Sequence, residues 1–299
     1  MTFDWTFFIH LGILSAALML ATFIRANVRF FQRFLIPNAL TAGFILLPLY
    51  NYVFPLFGLD TMTLEALTYH LLSVSFVAMS LRKAPKRKRD GRIFATSVSV
   101  LSQYAIQTTL GLILTFVMIR TFIPDLFHSF GWLMPLGFVL GPGQAFSIGE
   151  GWRVAGIEGA GSIGLTFAAI GFIVSSFGGV FLINYGIRKG WMSKEHAEAM
   201  NKKGIKTGVF PKGSRLPVGS LLTTETEAID SVTLNGGLVL IAYFCAFLFL
   251  TFMQWALGFI GGAGERLATN LWGISFIFAA LAGLGIKGAL GLLKIDHII

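Results

Sequence analysis

The densest chemistry in this 299-residue chain is the stretch Gly141-Pro142-Gly143-Gln144-Ala145-Phe146-Ser147-Ile148-Gly149-Glu150-Gly151-Trp152-Arg153, continuing through Glu158 to Gly161. Glycine and proline this close together prevent an unbroken helix. In apolar surroundings the freed N–H and C=O groups must then line a cavity or meet a ligand. A helical turn restarting after Gly143 points its N-terminal N–H groups, the positive end of the peptide dipoles, at an anion. Gln144 and Ser147 add side-chain donors. Gly141, Gly143, Gln144, Ser147 and Gly149 are therefore the expected binding residues for a small anionic substrate. Glu150, Arg153 and Glu158 are the densest group of ionisable residues in the membrane-associated part. An i,i+3 pair of Glu150 with Arg153, lying in water, is the other account of them.

A second set of oxygens stands in Ile36-Pro37-Asn38-Ala39-Leu40-Thr41-Ala42-Gly43, with Pro48 further on. These breakers suffice to open the backbone locally. Exposed carbonyls with the Asn38 or Thr41 oxygens, and Gly141 beside them, are the hard ligands that suit a sodium ion. A packing kink explains the same residues. His10 and His70 stand in apolar runs without partners at metal-ligand spacing, so no metal site is expected. Cys245, the one cysteine, excludes an intrachain disulfide and reads as a small buried hydrophobe.

The elements that carry these residues follow from composition. Mean hydropathy is +0.75, with 55% hydrophobic and 12% charged residues, against roughly 25% charged in a soluble domain. Apolar residues fall in blocks of about 20, the length a helix needs to cross a hydrocarbon core of about 30 Å. Seven blocks read as spans: Trp5 to Ile24, Leu35 to Phe54, Thr63 to Leu81, Ile93 to Ile119, Gly161 to Ile187, Leu234 to Ile260 and Asn270 to Leu293. Leu126 to Leu140 is apolar but short and holds Gly131, Pro135 and Gly137, so it reads as a re-entrant hairpin or broken helix, the re-entrant segment covering about 126–150. In the span from Gly161, the residues Gly164, Ala168, Gly171, Ser175 and Gly178 make a packing seam. In the span from Ile93, Thr96, Ser99, Gln103 and Gln107 share a face that must meet protein or a water-filled cavity. Lys287 lies close enough to the end of its span to snorkel.

Charge gives an independent reading of orientation. Net charge is +9, but the basic residues concentrate in three loops: Arg25, Arg29 and Arg33; then Arg82 to Arg92; then Arg188 to Arg215. That is the positive-inside pattern of a membrane protein rather than a nucleic-acid surface. With those loops cytoplasmic, the N-terminus is outside. The span ending at Ile187 then reaches the inner side only if 126–150 returns to the side it came from. MTFDWTFF carries no basic n-region, so the first span is expected to stay as a helix. The polar, Gly- and Pro-containing stretch 188–230 is the expected basic cytoplasmic linker between two membrane units.

Five spans, a glycine-rich re-entrant segment between the fourth and fifth, a cytoplasmic linker and an inverted second start together resemble the glutamate:sodium symporter family. The residues that carry the likeness are Ile36-Pro37-Asn38-Ala39-Leu40-Thr41-Ala42-Gly43, similar to the family's Ile-Pro and glycine-containing second helix, and Gly141 to Gly143, which fall where its re-entrant loop lies. The likeness covers the first 187 residues well and the remainder weakly. Here the loop reads Gly-Pro-Gly-Gln, where the family more usually has paired glycines with a histidine or similar residue. The resemblance implies sodium-coupled uptake of an anionic amino acid by alternating access, and a homodimer.

The expectation is thus an all-α multi-pass protein of the plasma (bacterial inner) membrane. Residues 1–187 form a first repeat, 188–230 the linker, and 231–299 the start of an inverted second repeat that reads as incomplete. The expected function is symport of glutamate or a related carboxylate with sodium as the coupling ion and no organic cofactor. A membrane-embedded enzyme, or a non-transporting or partner-dependent fragment, is the alternative.

Overall fold

A computed structural model of the chain describes residues 4–82, 91–191, 207–208 and 230–295. Among them every regular element is helical. In chain order the helices are α1 (Thr6–Asn27), α2 (Arg29–Arg33), α3 (Asn38–Phe57), α4 (Met62–Leu81), α5 (Gly91–Thr121), α6 (Phe130–Leu140), α7 (Pro142–Gly151), α8 (Ala160–Arg188), α9 (Ser231–Gly258), α10 (Gly262–Gly273) and α11 (Ser275–Leu292). Seven of these, all but α2, α6, α7 and α10, are long and apolar enough to cross a bilayer. This is the architecture of a multi-pass membrane protein. Most of the expected linker, 192–206 and 209–229, lies outside the described residues.

The distribution of side-chain size fits that environment. Buried positions are held largely by small residues such as Ala17, Ala21, Ala42, Ala242, Ala246 and Ala279, while Met19, Leu56, Phe181 and Phe252 face outward. In lipid, helices gain nothing by hiding leucine from tails as apolar as itself. They associate through close backbone approach, which small residues permit.

The chain packs as two compact units, one from Met1–Leu67 with Ala169–Gly219, the other from Thr68–Ala168 with Ser220–Ile299. The second unit draws on both sides of the 188–230 stretch, so packing unit and sequence repeat are different divisions. In the first unit α1 lies on α3 through Ala17, Ala21, Ala42, Leu46 and Tyr50. His10, fully buried, shares a 2.7 Å hydrogen bond between Nδ1 and the Tyr50 hydroxyl. The opening of α3 comes at Pro48, whose missing N–H is followed by a wide π turn over Leu49–Val53. A second π turn, Ser175–Gly179, interrupts α8 and rotates its face. Ser176 is buried there while Ser175 is exposed, which corrects the regular seam expected through Ser175 and Gly178.

In the second unit Ala242 and Ala246 of α9 pack on Ala279 of α11 and on Val77 and Leu81 of α4. Lys287 does not simply snorkel: its Nζ donates to the Arg82 carbonyl at 2.6 Å, at the end of α4. Leu133 and Leu136 of α6 pack on Ala145 and Ala160, with Tyr104 of α5 against them. The first half of α5 has no such cover, and Thr96, Ser99 and Gln103 are exposed, with Gln107 half-buried. Gln103 Nε2 donates back to Ser99 Oγ at 3.3 Å. Asp230 caps α9, accepting from both the hydroxyl and the N–H of Thr233 at 2.7 Å. Those donors hold its carboxyl below the usual carboxylate range.

Gly111 of α5 and Gly131 of α6 meet backbone to backbone, so a methyl on either would fall on the other's main chain. Gly111→Ala and Gly131→Ala should each lower stability by about 1–3 kcal/mol, the range for overpacking, as read by thermal unfolding in detergent. Because the Asp230 carboxyl is depressed, its contribution is present above the ordinary carboxylate pKa and is lost as pH falls through the folded value. The protection of the Thr233 amide against exchange, relative to its intrinsic rate at each pH, should accordingly fall on acidification, and Asp230→Ala should abolish that dependence.

Candidate functional site at two interrupted helices

The first interruption separates α6 from α7. The last turn of α6 widens into a π turn, and the N–H of Gly141 donates to the Leu136 carbonyl at 3.1 Å. Gly141 has φ 97° and ψ 175°, a conformation open essentially to glycine alone. Pro142 then starts α7, its fixed φ suiting the first helical position. The Gly141 carbonyl accepts from the Ala145 N–H at 3.1 Å and closes the first turn. Helix geometry leaves the N–H groups of Gly143 and Gln144 without intrahelical acceptors at the positive end of α7.

The remaining expected site residues turn to other tasks. Gly143 brings α7 onto α4: a Cβ there would stand 2.7 Å from Leu72 Cδ1. Gln144 is half-buried, whereas Ser147 is buried and donates its hydroxyl to the Gly273 carbonyl. Gly149 seats α7 against the start of α8, where a Cβ would lie 2.6 Å from the Gly161 nitrogen. Glu150 and Arg153 form the i,i+3 ion pair at 3.2 Å, and Glu158 is exposed. These ionisable groups therefore do not make a buried constellation.

Asn38 and Thr41 lie in the first unit. Asn38 Nδ2 donates to Thr22 Oγ1 at 2.9 Å, while its Oδ1 is buried without a hydrogen-bond partner among the described residues. Thr41 lines a cavity of about 420 Å³ with Ile36, Leu40, Phe44, Ser176 and Phe177.

Sequence reading missed the second interruption. The last apolar segment, expected to begin at Asn270 as one span, is two helices: α10 ends at Gly273, and α11 starts at Ser275. Glu265, Arg266 and Asn270 made α10 look like a loop. Its start is permitted by Gly261 at φ 80°. The carbonyls freed at the break are met from other helices. Tyr69 OH of α4 donates to the Trp272 carbonyl at 2.7 Å, Ser147 of α7 serves Gly273, and Ser73 Oγ lies 3.3 Å from Ser275 Oγ. Ser73 and Ser275 are both buried. Gly273 and Gly151 are in backbone contact, so α7 crosses the break directly. Beside it lies a cavity of about 350 Å³ lined by Tyr69, His70, Tyr243, Phe247, Trp272 and Ser275. At this cavity His70 Nδ1 and the Tyr243 hydroxyl share a 2.7 Å hydrogen bond. The signal in the sequence was Trp272-Gly273-Ile274-Ser275 within an apolar run, the same logic as Gly141 but with one glycine.

Among the described residues no three His, Cys, Asp or Glu side chains gather as a metal site would require. No protein-family model, curated protein or solved structure matches the chain.

Gly141→Ala forces a side chain into that glycine-only region and should cost about 1–3 kcal/mol. Gly149→Ala must push α7 off α8 and should cost a similar amount, about 1–3 kcal/mol. Gly12→Ala, at a helical position with open space around it, should leave thermal unfolding in detergent unchanged or slightly raised.

Proposed function

We propose that this chain is a sodium-coupled secondary transporter of the bacterial inner membrane, a symporter that imports glutamate or a related anionic amino acid or carboxylate by alternating access. The observation that carries this reading is the break at Gly141. It leaves two N–H groups unpaired at the start of a helix whose neighbours α6 and α8 are apolar. Backbone donors at such a depth are stable when they face a polar solute or a water-filled path. A carboxylate fits them, with Gly143, Gln144 and the Gly141 backbone around it. Ser147 and Gly149 hold the half-helix in place. The buried, unpartnered Oδ1 of Asn38 and the Thr41 hydroxyl are offered to a sodium ion.

The topology belongs to the same proposal. Segment 126–150 enters and returns on one side, the basic loops are cytoplasmic, the N-terminus is outside, and residues from 231 begin an inverted repeat of 1–187. α7 and the start of α8 run antiparallel, with Gly149 at Gly161 and Ala145 at Gly164, as the second arm of such a hairpin would. The working protein is a homodimer in lipid.

Energetics favour more than one sodium ion. Importing a monoanion against 100 mV, inside negative, costs about 2.3 kcal/mol, while each sodium contributes about 2.3 and roughly 1.4 more for a tenfold gradient. Two ions leave a surplus for accumulation.

Uptake of labelled glutamate by proteoliposomes should require an inward sodium gradient. Equal uptake with and without sodium removes the symport reading. Gly143→Leu, which must displace Leu72 and α7, should reduce uptake by about tenfold or more. Topology is read with Ile123→Cys and Val154→Cys in a Cys245→Ser background: both should label from the same side, and labelling from opposite sides would show a full crossing.

A further inference from the structure

A row of oxygen atoms in the second unit takes no part in the anion site. It begins at the negative end of α10, where the peptide dipoles leave the Trp272 and Gly273 carbonyls without intrahelical donors. Ser147 from α7 and Tyr69 from α4 reach these two carbonyls. Ser275 and Ser73 follow within 3.3 Å of each other. The Tyr69 and Tyr243 phenols line the same cavity as Ser275. Three serine hydroxyls and two carbonyls from α4, α7 and the α10–α11 break thus stand together in buried surroundings.

We propose that the carbonyl oxygens of Trp272 and Gly273, with the hydroxyl oxygens of Ser73, Ser147 and Ser275, bind a monovalent hard cation, sodium, as a coupling ion. The proposal rests on the symport reading and names a cation site apart from Asn38 and Thr41. Every donor atom is a neutral oxygen, the kind that replaces the hydration shell of an alkali cation. Carboxylates are absent from the set, and without them a calcium ion would lack the charged ligands it usually takes. The C-terminal dipole of α10 supplies the compensating partial charge. On ion entry the Ser147 and Tyr69 hydroxyls rotate, so that Ser147 turns a lone pair to the ion and Tyr69 donates to Ser275. The cavity lined by Tyr69, Trp272 and Ser275 adjoins these oxygens. Because Ser147 sits on α7, one turn beyond the N–H groups that face the anion, ion and anion bear on the same half-helix.

The test is thermal unfolding of the full chain in detergent, in sodium, potassium and choline chloride at equal ionic strength. Sodium alone should raise the melting temperature. Ser275→Ala and Ser73→Ala should each raise the sodium concentration for half that effect by about tenfold or more. Ser147→Ala also strips Gly273 of its donor, so Ser147→Thr, which keeps the hydroxyl, is measured beside it and should restore the sodium response. An unchanged sodium response in Ser275→Ala and Ser73→Ala overturns the site while leaving the symport reading intact. A parent protein indifferent to sodium also overturns it. The uptake assay then decides the symport reading separately.

Discussion

The constraint on which this structure depends is the cost of a bare peptide group in hydrocarbon. Seven helices meet it by pairing interior N–H groups with carbonyls of their own chain segment, through π turns where α3 and α8 depart from the regular spacing. The two breaks, at Gly141 and at Gly273–Ile274, cannot. Each unpaired group there must find a side chain, a water path or a solute, at several kcal/mol for each one left unmet. The carbonyls at Trp272 and Gly273 find hydroxyls. The N–H groups at the start of α7 find no such side-chain acceptor among the described residues, and this asymmetry gives the anion-binding proposal its physical content.

The breaks are also joined. Ser147 leaves α7 to reach the carbonyl at the end of α10, and Gly151 touches Gly273. The two interruptions therefore form one polar locus assembled from α4, α7, α10 and α11 rather than two separate defects. Glycines at 143, 149 and 273 are what allow the helices to come this close.

Much of the architecture could be read from residues, because a span is a property of about 20 consecutive side chains and needs no knowledge of partners. The break at Gly141 was legible for a similar reason: Gly-Pro-Gly permits little else. What could not be read was which way each polar side chain points. Ser147 had the right chemistry to serve an anion, yet its hydroxyl is directed to a carbonyl that lies 126 residues away along the chain. The seam on α8 failed at Ser175 because a π turn adds a residue to one turn, and period counting assumes that none is added. α10 was hidden because its polar residues resemble those of a loop. Lys287 looked like a snorkelling cation because the carbonyl it meets, on Arg82, belongs to a distant segment.

The placing of alanine and glycine within the helix pairs, with leucine and phenylalanine turned outward, reverses the usual map of mutational tolerance. In a water-soluble domain the interior punishes truncation and the surface accepts most changes of size. Here a leucine on the lipid side can shrink or grow with little effect on packing. One added methylene between α5 and α6, or between α7 and α8, has nowhere to go. Variation in a population of such chains should accordingly be bulky at the rim and frozen at the smallest residues.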